Sequence, residues 1–281
     1  MSGKAVLNPK KGTEPSKKVK VKNGKKPNYG YVALKPFLGI TIVGIIGLIV
    51  ALAGLAGLFI NWSLSWVLLL VGIPIAFVGL YIGASYVPMH YLLLRPRYIT
   101  NMWKQVAENE DVKGNEYLLD AGCGTGSLAI NWAKILNKGK VVGIDIYGGM
   151  SGNSPDQAYR NAELEGVIKR VEFKNGNILE IPYPDNTFDI VTAGSVLHEL
   201  HEEEDKIKAL KEIKRVLKPG GKFMTVELLR NARMSLAMLF FALVWKPKQY
   251  WINLLKKTGF RNLKIEEGKR YINYAIYIVQ K

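Results

Sequence analysis

Cysteine occurs once in 281 residues, at Cys123, and histidine only three times. A single thiol excludes a disulfide scaffold and any zinc site built on cysteines. A reducing, cytoplasmic setting is the default for such a chain. Acids are nearly missing from residues 1–35, where ten Lys stand against one Glu, Glu14, and there is no Arg. Charge of either sign is missing from Pro36 to Leu94, 59 residues without Asp, Glu, Lys or Arg. A net charge of +16 and 48% hydrophobic residues coexist because the two are separated along the chain. That separation excludes one soluble domain. The mixed-charge stretch from Arg95 onward is long enough to bury a core, which excludes disorder throughout.

Residues 1–35 carry few apolar side chains, too few to offset the entropy of ordering, and read as a disordered Lys-rich arm. Such an arm suits phosphate partners. Its position beside an apolar block favours membrane lipids, and its lack of Arg and interleaved aromatics disfavours nucleic acid. Segments 36–60 and 64–87 each exceed the ~20 apolar residues needed to cross a bilayer as a helix. They are too long for the core of a cleaved signal peptide. Joined by Asn61-Trp62-Ser63, they predict a transmembrane helical hairpin. The Lys-rich arm, with Arg95, Arg97 and Lys104, places the amino terminus and the globular part in the cytoplasm. Neither span holds an ionisable residue, so the hairpin reads as an anchor of an integral membrane protein rather than an ion pathway. Small residues four apart, Gly47/Ala51, Ala53/Gly57 and Gly79/Gly83, allow close helix contact, within the hairpin or between copies in a homo-oligomer.

From residue 116 strands and helices alternate. YLLDAG, KVVGIDI, RVEFKNG, FDIVTAG and GGKFMTVEL read as strands. Residues 127–136, 154–166 and 204–217 read as helices, the second with Ser154 as cap, Pro155 at its first position and Gln157 completing a capping box. This alternation predicts a parallel sheet covered on both faces, with ligands at the carboxyl ends of its strands. The turn Asp120–Gly126 follows a strand and opens a helix, and Asp145 ends the next strand. A carboxylate there can accept both ribose hydroxyl hydrogens. The glycine spacing is G-x-G-x-G, whereas dinucleotide loops need G-x-G-x-x-G. The preceding acid would repel a pyrophosphate but accept from an ammonium, which favours S-adenosylmethionine over NAD. No G-x-x-x-x-G-K-[ST] loop is present, so the machinery of ATP hydrolysis is missing.

In order, LLDAGCGTG, GIDI, NGNILEIPYPDNTFDIV, VLHEL and VLKPGG make residues from about 116 to 228 resemble class I S-adenosylmethionine-dependent methyltransferases of the type 11 kind. The resemblance implies an α/β fold, a Rossmann-like doubly wound sheet of seven strands with the last antiparallel. Its final pair would fall near 261–267 and 272–279. It implies that Asp120, Ala121, Gly122, Cys123, Gly124, Thr125 and Gly126 cradle the methionine part of the cofactor. Asp145, with Ile146 beside it, would hold the ribose, and Asn177 with Ile178 would border the adenine. Asn177 stands where Asp is commoner, although quinone-type methyltransferases of similar sequence also carry Asn. Ser195 would face the cofactor pocket.

Methyl transfer needs a protein base only when the acceptor must lose a proton. His198 and His201 in VLHELH, then Glu199 and Glu227, are the candidates. The resemblance puts His198 nearest the cofactor methyl, as a base or as a ring packed on the cofactor. His198-Glu199-Leu200-His201 is not H-E-x-x-H, so no metal is expected. Cys123 is assigned to packing. The glycine-rich loop 147–153 is a lid or a connector. Segment 232–251, with a charge-free run Met234–Trp245 too short to span, is an interfacial helix or a buried one. The leading expectation is a membrane-anchored methyltransferase with a lipidic acceptor: a lipid, quinone or isoprenoid compound. The alternatives are methylation of a membrane protein or small molecule with the hairpin as a tether, and a non-catalytic cofactor-binding scaffold.

Overall fold

The structure is a computed structural model that describes residues 26–29, 34–60, 63–93, 96–148, 153–230, 245–268 and 273–281. The turn residues 61–62, the loop 149–152 and most of the apolar segment, 231–244, lie outside the described residues.

Two long helices come first, α1 (Leu34–Phe59) and α2 (Ser65–Leu93). The second runs six residues past the boundary expected from hydropathy and continues through Pro88. The two pack through glycine. A Cβ on Gly44 would come within 2.6 Å of the Gly79 carbonyl carbon, and one on Gly47 within 2.6 Å of the Ala76 nitrogen. The faces at Gly47/Ala51 and Gly79/Gly83 therefore meet the other helix of the same hairpin. Ile42, Ile49, Leu52, Leu70 and Phe77 point outward and are exposed. A helix on a soluble protein keeps a polar side; among the described side chains of these two, residues 37–59 and 65–84, none is charged.

A third helix, α3 (Pro96–Asn109), is amphipathic and buries Trp103, Val106 and Ala107. The sheet follows: β1 (Tyr117–Ala121), α4 (Ser127–Ile135), β2 (Lys140–Asp145), α5 (Pro155–Leu164), β3 (Val171–Asn175), β4 (Phe188–Gly194), α6 (Glu203–Val216), β5 (Leu217–Leu228), α7 (Lys248–Lys257), β6 (Arg261–Gly268) and β7 (Tyr274–Gln280). Its order is β3-β2-β1-β4-β5-β7-β6. The first five strands are parallel, and β7 runs antiparallel to both β5 and β6. The seven-stranded Rossmann-like sheet and its final pair are as expected. Strand order reverses between β1 and β4, which opens a crevice beyond their carboxyl ends. One core, around Trp103, Trp132, Ile130 and Phe173, lies under α3, α4 and α5. The other, around Phe188, Leu210, Phe223 and Trp251, lies under α6 and α7.

The arm needs a correction. Residues 26–29 are docked on the domain rather than disordered. The Asn28 backbone N–H donates to Asn161 Oδ1 at 2.9 Å, and its carbonyl accepts from Asn161 Nδ2 and Gln157 Nε2, both at 2.9 Å. The Tyr29 hydroxyl donates to Glu165 Oε1 at 3.2 Å. Composition weighs apolar burial and misses this, because the arm is held by backbone hydrogen bonds to two amide side chains on α5. Residues 1–25 and 30–33 lie outside the described residues.

Candidate functional site

The chain leaves β1 at Ala121 and turns through Gly122, Gly124 and Gly126, all at positive φ, into α4. The turn is seated on the neighbouring strand, where the Gly122 and Cys123 N–H groups donate to the Ile144 carbonyl at 2.8 and 3.0 Å. A Cβ on Gly126 would come within 2.8 Å of the Phe173 ring. A Cβ on Gly124 would meet only Asn153 Nδ2, at 3.2 Å, so the loop's outer side borders open space.

Asp120 lies beneath this loop, 1% exposed. Its Oδ1 accepts from the Thr192 hydroxyl at 3.0 Å, and the Ala129 N–H also favours the charged carboxylate, while Oδ2 has no hydrogen-bond partner in the protein. Burial pushes its pKa up to about 7, against the pull of those two donors. A buried acceptor oxygen without a donor beside a glycine cradle fits a ligand with a cationic amino end. The sign of the pH effect follows. Below about 7 the free protein holds Asp120 protonated, so binding a cation there must release a proton. Cofactor affinity is expected to rise about tenfold between pH 6 and 8, with proton release read by calorimetry in buffers of different ionisation enthalpy. Flat affinity without proton release would remove Asp120 from contact with the amino group.

Asp145 ends β2, as expected, but is busier than the sequence suggested. Its Oδ2 accepts from the Gly124 N–H at 2.8 Å and its Oδ1 from the Tyr147 N–H at 2.9 Å. It orders the loop and has its remaining lone pairs for ribose hydroxyls. Asp145→Ala is expected to weaken cofactor binding by ~1–3 kcal/mol, the range for unpaired polar groups, with Asp145→Asn in between. Equal affinities by calorimetry in all three folded proteins would place the ribose elsewhere. Next to it, Ile146 is 68% exposed, the most exposed large aliphatic side chain outside the hairpin among the described residues. An apolar shelf beside the ribose carboxylate suits an adenine face. Asn177 is exposed and its Oδ1 already accepts from the Leu179 N–H at 2.9 Å, while Ile178 is buried below it. Cys123 sits in the core with Sγ 3.4 Å from the Tyr147 hydroxyl, and burial pushes its thiol pKa well up. Ser195, at the end of β4, holds a left-handed φ of 54°. Strain of this kind in a non-glycine residue gathers at ligand sites.

Beyond β4 a single 3-10 turn, Leu197–Glu199, carries His198 toward the end of β5. There His198 Nδ1 lies 3.0 Å from Glu227 Oε2. The Glu227 side chain is 0% exposed and that of His198 15%. The Leu197 N–H also favours the charged carboxylate, while its Oε1 has no hydrogen-bond partner in the protein. Burial lowers the His198 pKa, but the hydrogen bond and charge of Glu227 outweigh it and leave a net rise above 6.5. Burial raises Glu227, against the pull of His198. The pair can hold one proton between them, with the imidazole as its exchangeable end.

The ring of His201 is not brought into this pair; the residue is exposed, and its carbonyl accepts from Lys206 Nζ at 3.2 Å. Lys206 was not singled out in the sequence. It is 2% exposed, and its Nζ also bonds the Leu200 carbonyl, so it holds down the turn that bears His198. The signal was there: Lys206, Ala209, Leu210, Ile213 and Val216 form the buried face of α6. A lysine in that helical stripe must find carbonyl partners.

A protein family described as a methyltransferase domain matches residues 119–225. The probable methyltransferase ltbC of Aspergillus luteorubrus is 41% identical over 39% of this chain and 39% of its own length. The ubiquinone/menaquinone biosynthesis C-methyltransferase UbiE of Hydrogenovibrio crunogenus is 36% identical over 63% of this chain and 65% of its own. Among solved structures, the [4+2]-cyclase SpnF is similar at a TM-score of 0.54 and 26% identity, over 65% of this chain and 81% of that one. The chain spans 39% to 50% of the length of the first three curated relatives it matches.

Proposed function

We propose that this chain, whose residues 119–225 are an S-adenosylmethionine-dependent methyltransferase domain, is a membrane-anchored enzyme that methylates a lipidic acceptor of the quinone or isoprenoid kind. The observation that carries the reading is the His198–Glu227 pair at the ends of β4 and β5, beside the loop that fits the cofactor. Bound S-adenosylmethionine supplies an electrophilic methyl on a sulfonium. The residues around it do the rest. Asp120 takes the amino group, Asp145 the ribose, and Ile146 the adenine face. Glu227 holds the Nδ1–H of His198, which leaves Nε2 as the base. A proton taken by Nε2 from an acceptor hydroxyl raises the electron density of the acceptor for attack.

The quinone class is supported by demethylmenaquinone and ubiquinone/menaquinone C-methyltransferases among the relatives, at 28% to 38% identity. Membrane anchoring is supported by two helices of mean hydropathy 2.7 and 2.4 that expose apolar side chains outward. Incubating the protein with methyl-labelled cofactor and total membrane extract tests the acceptor class. Label in the organic phase is the expected result. Label in protein would shift the acceptor to a membrane protein, and tight cofactor binding without label would make the chain a scaffold. The amino terminus and the catalytic domain are expected on the cytoplasmic side. Protease reaching either from the outer face of sealed vesicles would reverse that orientation.

A further inference from the structure

The hairpin is tied to the domain at two places, and each has a contact that reaches the carboxyl end of the strands, where the glycine loop lies. The first tie is α3. Its last residues sit at the amino end of the strands, where Glu110 pairs with Lys222 at 2.9 Å and Lys264 at 2.7 Å. Its 14 residues rise ~21 Å at 1.5 Å each, about the height of the sheet. Near its start, the Thr100 hydroxyl donates to Asn131 Oδ1 at 2.6 Å, and Asn131 Nδ2 donates to the carbonyl of Ser127, the first residue of α4. Pro96 therefore lies at the level of the glycine loop. Leu93, the last residue of α2, is three residues before Pro96 and so within ~10 Å of it.

The second tie is the docked arm. Asn161, 2% exposed, uses one Nδ2 for two carbonyls, that of Asn28 in the arm at 2.9 Å and that of Thr125 in the glycine loop at 3.0 Å. The arm and the cofactor loop are held by the same buried amide. Four residues lie between Tyr29 and the start of α1 at Leu34, five steps along the chain and a reach of ~18 Å at most.

We infer that the catalytic end of the sheet faces the bilayer, held there by α3 beside α4 and by the Lys26–Tyr29 strap on α5, both on one face of the sheet. The inference rests on the anchor reading above and adds the direction of approach. An acceptor whose reactive head lies at the lipid–water interface reaches His198 without leaving the membrane, and the Lys-rich arm before the strap is drawn to the same anionic surface.

Energy transfer from the domain to the membrane surface tests this without any activity. Full-length protein carrying a donor dye at Asp156→Cys or Glu202→Cys, both exposed and beyond the carboxyl ends of the strands, is compared with Lys113→Cys and Lys138→Cys, exposed at the opposite end. Unsubstituted protein gives the background from the buried thiol of Cys123. The proteins are reconstituted in phosphatidylcholine–phosphatidylglycerol vesicles with an acceptor dye on the lipid headgroups. Higher transfer from positions 156 and 202 than from 113 and 138 is expected. Equal transfer at the two ends, or the reverse order, from protein that floats with the vesicles overturns the mounting and leaves the anchor intact. Protein that does not float overturns the anchor and the mounting together.

Discussion

His198→Ala is expected to lower kcat about 10²- to 10⁴-fold, the range for losing a general base, with cofactor affinity nearly unchanged. The cofactor is held by groups at the ends of β1 and β2, whereas His198 belongs to the turn after β4. Removing the ring leaves the buried Glu227 without its partner, and the carboxyl answers by taking a proton, so a thermal melt must accompany the rate. Glu227→Gln separates base from scaffold more cleanly. It keeps the shape and one acceptor oxygen but removes the charge that lifts the His198 pKa above 6.5. The wild-type rate should rise with pH through that raised pKa, because the neutral ring is the working base. In Glu227→Gln the charge that opposed burial most is gone, the pKa falls, and the acid limb of the pH–kcat profile moves to lower pH while kcat drops. A ring that only packs on the cofactor predicts otherwise: His198→Ala would raise the KM for cofactor and leave the pH profile in place. Full activity in a folded His198→Ala protein would end the base assignment.

Features made of neighbours in sequence could be read before the structure. The loop Asp120–Gly126 is written in consecutive residues, and its glycines hold the left-handed φ that such a turn requires. The cap of α5 is likewise local, with the Ser154 hydroxyl accepting from the Gln157 N–H. The count of seven strands with an antiparallel last one was legible only through resemblance, and nothing local says that β7 inserts between β5 and β6. What stayed hidden joins distant positions. His198 and Glu227 were each singled out, but their pairing depends on β4 and β5 lying side by side. The docking of Asn28 on Asn161 spans 133 positions and uses no apolar surface that a composition count would notice. Asp145 was assigned its ligand role from its place at the end of β2; that it also pins the Gly124 and Tyr147 amides needed the loop's folded shape.

Gly124→Val is expected to cost the cofactor about a hundredfold or more in affinity, with the fold intact. Gly124 holds a φ of 52°, a conformation that costs an L-residue ~1–2 kcal/mol and a β-branched one more. The position is the one in the cradle where the fold itself offers little resistance, since an added Cβ would approach only the flexible end of Asn153, at 3.2 Å. In the free protein the substituted loop therefore relaxes, giving up the bond from the Gly124 N–H to Asp145. Binding must restore that bond and the strained φ, and must also accommodate the branched side chain on the ligand side of the loop. Together these exceed the ~2.8 kcal/mol that a hundredfold represents. Gly126→Val makes the contrast. Its Cβ would strike Phe173 and Ala158 at 2.8 and 3.2 Å, so the loss should appear first as a lower melting temperature. Calorimetric titration beside a thermal melt separates the two. Gly124→Val that binds cofactor as tightly as the unsubstituted protein would mean that the methionine part lies away from the open side of the glycine loop.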